Sequence, residues 1–232
     1  MERLYAHLDI RNFYARCEQL LNKKYSNSPL VVYNEGPTGK RAIIAASKEA
    51  KAFGIDRSSF VNQAERLGII TIKSRIEKYW EISDKIFMKF APVLAKDGYN
   101  IAKPHVDDIV VESTYNFLKI FKAAERVKKF YKKHGFEMSA GISFNPDFAH
   151  MATKWAKEYG MIYFPRWFVK EFIYKEPIKE FPGIGNKLEI KFHERGIETI
   201  ADIANSSRET MLEIVGTKRG ADIYYSIVSA KV

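Results

Sequence analysis

A single cysteine, Cys17, stands among 232 residues, so the chain can form no internal disulfide and no multi-thiol zinc site. Histidine is almost as scarce. His7, His105, His134, His150 and His193 show no HExxH or HxxxH spacing, which argues against a histidine-built metal centre and leaves carboxylates to hold any metal. No apolar run reaches the roughly 18–20 residues of a membrane span. The opening Met1-Glu2-Arg3-Leu4-Tyr5 has neither the apolar core nor the small-residue cleavage site of a signal peptide. A cytoplasmic protein without membrane contact is therefore expected. Internal repeats and low-complexity segments are also missing.

What is present is a globular composition, 46% hydrophobic and 28% charged. Basic residues outnumber acidic ones, 38 to 28, for a net charge of +10. That excess favours a polyanionic partner, although a basic surface that only aids solubility has the same composition.

Leu4–Ile10 is short, apolar and rich in strand formers, and contains Asp9 near its end. Asn12–Leu21 reads as a helix with Phe13, Cys17 and Leu20/Leu21 on one face. Strands are expected at Leu30–Tyr33, Ala42–Ala46 and Gly68–Lys73, a loop at Asn34–Gly39, and a short helix at Lys48–Phe53 stopped by Gly54. Glu77–Leu94 and Tyr115–His134 carry long helical patterns. Between them, Tyr99–Lys103 and Ile109–Glu112 flank Pro104-His105-Val106-Asp107-Asp108, a strand hairpin with two adjacent carboxylates near its tip. Met138–Ser143 reads as a strand, Asp147–Glu158 as a helix and Met161–Phe164 as a strand. This alternation predicts an α+β protein whose antiparallel or mixed sheet has helices packed on one face. Beyond a boundary near Tyr163–Trp167 the chain turns into short helices punctuated by glycines.

Asp9, Asp107 and Asp108 sit beside apolar strands, where a carboxylate is costly to desolvate unless it is paired or binds a cation. Gathered at the ends of neighbouring strands, they would offer an oxygen-rich site for two Mg²⁺ ions and in-line phosphoryl transfer. The residues alone leave a second reading open: a solvated Asp107-Asp108 turn, and Asp9 as the cap of the next helix.

Asp9-Ile10-Arg11-Asn12-Phe13-Tyr14-Ala15-Arg16-Cys17-Glu18 resembles the opening motif of the Y-family, lesion-bypass DNA polymerases. His105-Val106-Asp107-Asp108 resembles their second motif, and Ala45-Ala46-Ser47-Lys48-Glu49-Ala50-Lys51-Ala52-Phe53-Gly54-Ile55 their fingers motif. Tyr79, Ser83 and Ile86 match a family helix; Ala140-Gly141-Ile142-Ser143 with Asn145, Ala156 and Lys157 matches the last palm motif; Phe181-Pro182-Gly183-Ile184-Gly185 matches the thumb. The order and spacing are those of the family, nearest its polymerase IV branch in archaea and bacteria.

The resemblance implies a right-hand polymerase core. A ferredoxin-like palm would comprise 1–10 and 76–165, small α/β fingers 11–75, and a helix-hairpin-helix thumb 166–232. Asp9, Asp107 and Asp108, with the main-chain carbonyl of Ile10, would hold two Mg²⁺ ions, Mn²⁺ being able to substitute. Tyr14 would be the steric gate against a 2′-hydroxyl. Phe13, Tyr14, Ala45, Lys48, Lys51 and Lys157 would bind the deoxynucleoside triphosphate. Gly183, Ile184, Gly185 and Lys187, with a poorer second copy at Gly216, Lys218 and Arg219, would meet the backbone of primer–template DNA through main-chain N–H groups. The protein is expected to be a monomer.

The sequence departs from the family at several points. Asp108 replaces the usual Glu and is shorter by one CH₂. Arg11 stands where many members have a second acidic residue, and the residues alone give no account of it. Lys48 and Lys51 replace Tyr and Arg, and His105 replaces Ser. The family's further DNA-gripping domain, the little finger, has no counterpart, so weak DNA binding is expected unless a partner such as a sliding clamp supplies the grip. Two other functions compete with an active low-fidelity polymerase: a catalytically weak relative serving as a DNA-binding or scaffolding module, and a palm-fold nucleotide cyclase. The cyclase reading explains neither the thumb motif nor the charge.

Overall fold

The structure, a computed structural model, describes residues 3–114 and 116–231. In chain order its first part comprises β1 (Leu4–Ile10), α1 (Phe13–Leu21), β2 (Leu30–Glu35), β3 (Arg41–Ala46), α2 (Lys48–Ala52), α3 (Val61–Arg66), β4 (Ile70–Lys73) and α4 (Ile76–Lys96). It continues with β5 (Asn100–Ala102), β6 (Asp108–Ser113), α5 (Phe117–Lys133), β7 (Met138–Ser143), α6 (Pro146–Tyr159) and β8 (Met161–Phe164). The C-terminal part is helical: α7 (Arg166–Glu171), α8 (Asn186–His193), α9 (Ile200–Asn205), α10 (Arg208–Val215) and α11 (Thr217–Val228). Tyr115, where the fifth helix was expected to begin, lies outside the described residues, as do Met1, Glu2 and Val232.

Two sheets organise the chain. The larger is mixed, in the order β5-β6-β1-β7-β8, with β1 antiparallel to both β6 and β7, and β8 parallel to β7. The smaller has the order β3-β2-β4, β2 running antiparallel to β3 and parallel to β4. This α+β arrangement agrees with the sequence reading.

Strand alternation sorts the larger sheet into two faces. Ala6, Leu8 and Ile10 share one face with Ile109, Val111, Ala140 and Ile142, all buried. His7 and Asp9 share the other with Asp108, Ser139 and Gly141. Helix α5 packs across β6, β1 and β7 and contacts α4, with Phe90 and Phe130 ring to ring at 4.7 Å. Helix α6 takes the opposite, polar face. A Cβ on Gly141 would run into the main chain of Ala149 and Thr153. The expectation of helices on one face is corrected here: β7 is buried along its whole length because helices cover both of its sides.

Local signals explain most boundaries. Asn145 caps α6 by accepting from Phe148 N–H at 2.9 Å, Pro146 starts its first turn, and Gly160 (φ 80°) ends it. Ser47 caps α2 in the same way. Leu20 and Leu21, expected on the buried face of α1, are more than 40% exposed; the helix buries Ala15, Glu18 and Gln19 beside Phe13 and Cys17 instead. The loop expected from Asn34 begins later, since β2 extends through Glu35.

Candidate active site

Asp9 and Asp108 are direct partners across the β1–β6 ladder. Ile10 N–H donates to the carbonyl of Asp107 at 2.9 Å, which brings the third carboxylate to the same strand ends. The N-cap of α1 is Asn12, not Asp9, and Asp108 is buried, so the reading as a helix cap and a solvated turn does not hold. Burial, then the charges of Asp108 and Asp107, push Asp9 up to about 6. Asp107 is raised by burial and by Asp108. Burial works on Asp108 as well, but the facing imidazole of His7 holds it below the usual carboxylate range, helped by His150 and His105.

A histidine pair backs Asp108. His7 Nε2 lies 3.7 Å from Asp108 Oδ1, and its ring stacks on His150 with centroids 4.3 Å apart. Thr153 Oγ1 is 2.9 Å from the His7 carbonyl, 2.8 Å from the Ala149 carbonyl and 3.1 Å from His7 Nδ1. Carbonyls only accept, so the hydroxyl gives its proton to the main chain and accepts from Nδ1–H. Burial and the neighbouring His7 push His150 down to about 4, which keeps it neutral near pH 7.

The site opens into a cleft of about 590 Å³ whose lining includes Asp9, Arg11, Asn12, Lys48, Lys51, Lys132 and Lys157. Lys51 Nζ donates to Asn12 Oδ1 at 2.5 Å, and burial and then Lys157 lower its pKa. Asn12 sits in the left-handed region (φ 53°), which Asn tolerates better than most residues. Tyr14 packs at a tilt against Tyr79, ring centroids 5.0 Å apart, and burial and then Asp107 raise its pKa. Phe13 is buried against Phe136 at 5.4 Å. Ala45 is buried in the small sheet. Glu18, the last residue of the opening motif, joins Arg75 and accepts from Tyr79 O–H at 2.6 Å, fixing α1 to α4. Ser83 O–H donates to the Val106 carbonyl next to Asp107.

The glycine turns of the C-terminal part form a separate cluster. Gly183 (φ 87°) precedes Ile184 and Gly185, the N-cap of α8, with Lys187 in its first turn. Gly216 (φ 100°) is the N-cap of α11, which carries Lys218 and Arg219. Arg219 donates to the Gly183 carbonyl, so the two turns adjoin.

The sequence reading missed three contributors. Arg11 reaches Ser139 and the end of α6. Arg57, on the loop after α2, exerts its charge on Asp107, Tyr14 and Lys51. Asn12 ties β1 to Lys51. Arg11 stood out as an unexplained departure; no spacing marks the other two.

Known proteins resemble this chain in sequence and fold. The model of the impB/mucB/samB family matches residues 8–154, and that described as DNA polymerase-iota, thumb domain, matches residues 179–227. Among curated proteins, DNA polymerase IV of Clostridium perfringens is 30% identical over 228 residues, covering 94% of this chain and 61% of the relative. DNA polymerase IV of Treponema denticola is 27% identical over 236 residues, covering 97% and 57%. The chain thus spans about three-fifths of the length of these relatives. Among solved structures, DinB from Sulfolobus solfataricus superposes with a TM-score of 0.75 at 23% identity, and an insertion ternary complex of Dbh DNA polymerase with 0.79 at 22%. Each covers 98% of this chain and 67% of the other.

Proposed function

Because the chain belongs to the impB/mucB/samB family, we propose that it is the catalytic core of a Y-family DNA polymerase, adding deoxynucleotides to a primer 3′ end by two-metal phosphoryl transfer during low-fidelity lesion bypass. One observation carries the reading. Asp9, which faces Asp108 across the β1–β6 ladder, lines a cleft together with Lys48, Lys51 and Lys157.

The carboxylates suit a divalent cation. All are hard oxygen donors, and the burial and mutual repulsion that together raise Asp9 are what such a cation relieves. Among the described residues no three His, Cys, Asp or Glu side chains close into a ready-made cage. Asp9, Asp107, Asp108 and the Ile10 carbonyl would be the ligands. Bound Mg²⁺, or Mn²⁺ in its place, supplies neutralisation of triphosphate charge and a lower pKa for the primer hydroxyl. Lys48, Lys51 and Lys157 hold the triphosphate, Phe13 and Tyr14 floor the sugar, and Ala45 leaves a loose roof over the base. Loose selection of this kind rests on small pairing differences and tolerates damaged templates.

In this reading 1–10 and 76–165 form the palm, 11–75 the fingers and 166–232 the thumb. Gly183, Ile184, Gly185 and Lys187, with Gly216, Lys218 and Arg219, hold the DNA backbone without reading sequence. Among the described residues no helix is long and apolar enough to cross a membrane. The protein acts as a monomer in the cytoplasm, with a sliding clamp or similar partner adding grip.

Primer extension with Mg²⁺ and four deoxynucleotides, beside Asp107→Asn, tests the proposal. Extension by the wild type and none by the variant supports it. Duplex binding without extension by either moves the assignment to a DNA-binding relative.

A further inference from the structure

Arg11 occupies the junction between the carboxylate strand and the cleft. Its main chain continues β1, its N–H donating to the Glu137 carbonyl at 2.9 Å. Its guanidinium does not turn back to Asp9. Nε donates to Ser139 Oγ at 2.8 Å, and Nη2 donates to the carbonyls of Lys157 at 2.5 Å and Ala156 at 3.4 Å. Those carbonyls belong to the last turn of α6, where the helix dipole favours a cation; the Ala156 carbonyl also accepts from Gly160 N–H at 2.7 Å. The bonds are charge-assisted, and the planar fork fixes direction as well as distance.

From this geometry we infer that Arg11 is a positioning residue: it clamps the C-terminal turn of α6 to the end of β1 and so sets Lys157 at a fixed distance from Asp9 for a bound triphosphate. The inference rests on reading the cleft as the nucleotide site. With Nε and Nη2 committed to Ser139 and the helix end, Arg11 acts through Lys157 rather than on phosphate. An acidic side chain at this position would face the same carbonyls without a proton to give.

The test is a double-mutant cycle read by equilibrium binding of dATP in Ca²⁺, which needs no turnover. Arg11→Gln is expected to weaken dATP binding about tenfold, the scale of one lost charge-assisted hydrogen bond. In a Lys157→Ala background the same change should have less than about a twofold effect, because its target is gone. Arg11→Lys, with one donor group in place of the fork, should fall between wild type and Arg11→Gln, and it serves as the probe if Arg11→Gln does not fold. Duplex affinity should stay near wild type in the folded variants. Unchanged dATP affinity in Arg11→Gln would overturn the inference, as would an equal loss in both Lys157 backgrounds, the mark of direct phosphate contact. Wild-type protein that binds dATP with the expected coupling yet never extends a primer would remove the polymerase reading and leave the clamp standing. Wild type that binds no dATP would sink both.

Discussion

Asp9 and Asp108 stand directly opposite each other in the β1–β6 ladder, the position where like charges destabilise an antiparallel pair most. A fold that keeps such a pair spends stability on it, and the deficit should be visible in solution.

Asp9 is raised to about 6 against an ordinary 3.8. The native state therefore binds the proton more tightly than the unfolded chain, and this group costs stability progressively as pH rises from about 4 to about 6. Asp108 is lowered and runs the other way, losing stability as pH falls, so the comparison must isolate Asp9. In metal-free buffer, Asp9→Asn should melt above wild type. The gap should open between about pH 4 and 6 and level off above, worth on the order of 2–3 kcal/mol. Adding Mg²⁺ at pH 7 should narrow it by stabilising wild type alone. A gap that is flat with pH would contradict the repulsion.

Tyr14, five residues after Asp9 and packed against Tyr79, is predicted to exclude ribonucleotides. Tyr14→Ala should incorporate them at least about tenfold more efficiently relative to deoxynucleotides, within the range that pocket-shape changes produce. Equal ribonucleotide use by wild type and variant would remove the gate.

Arg219 links the two glycine turns through the Gly183 carbonyl. Arg219→Ala should weaken duplex binding similarly across unrelated sequences and reduce the salt slope by about 1. Unchanged affinity at low salt would take this cluster off the DNA.

Gly141→Ala adds one methyl where α6 lies against the sheet. The Cβ would meet main-chain atoms of Ala149 and Thr153, which cannot swing aside. A loss of about 3 kcal/mol or more is expected, at the upper end of overpacking costs because backbone must move. Denaturant melts showing less than about 1 kcal/mol would mean that α6 can slide on its seat.

What could be read beforehand depended on how local the cause was. The boundaries of β7 and β8 matched the sequence because apolar strand formers end there at turn residues. Helix α3 went unseen: it is only six residues long, and its start is fixed by Gln63 Oε1 accepting from Phe60 N–H rather than by a Ser, Thr or Asp cap. The placement of α6 opposite α5 followed from register, which puts Gly141 beside His7; no periodicity carries that. At the site, Asp9, Asp107 and Asp108 were legible through motif and strand context. The contacts of Arg11 span more than a hundred residues of chain, to Ser139 and Lys157, and only the fold could supply them.

Helix α6 rests on Gly141 near its middle, and its two ends lead to different places. Asn145, at its N-cap, donates to the Ser226 carbonyl at 3.0 Å and Ser229 Oγ at 2.8 Å on the last helix and its cap. Lys157, at the other end, reaches the cleft. One helix thus touches the C-terminal helices at one end and the cleft at the other, with its middle seated on Gly141. If the C-terminal helices hold a duplex and the cleft a nucleotide, α6 is the element that joins the two sites. By linkage, any effect of duplex DNA on dATP affinity is then matched by an equal effect of dATP on the affinity for duplex.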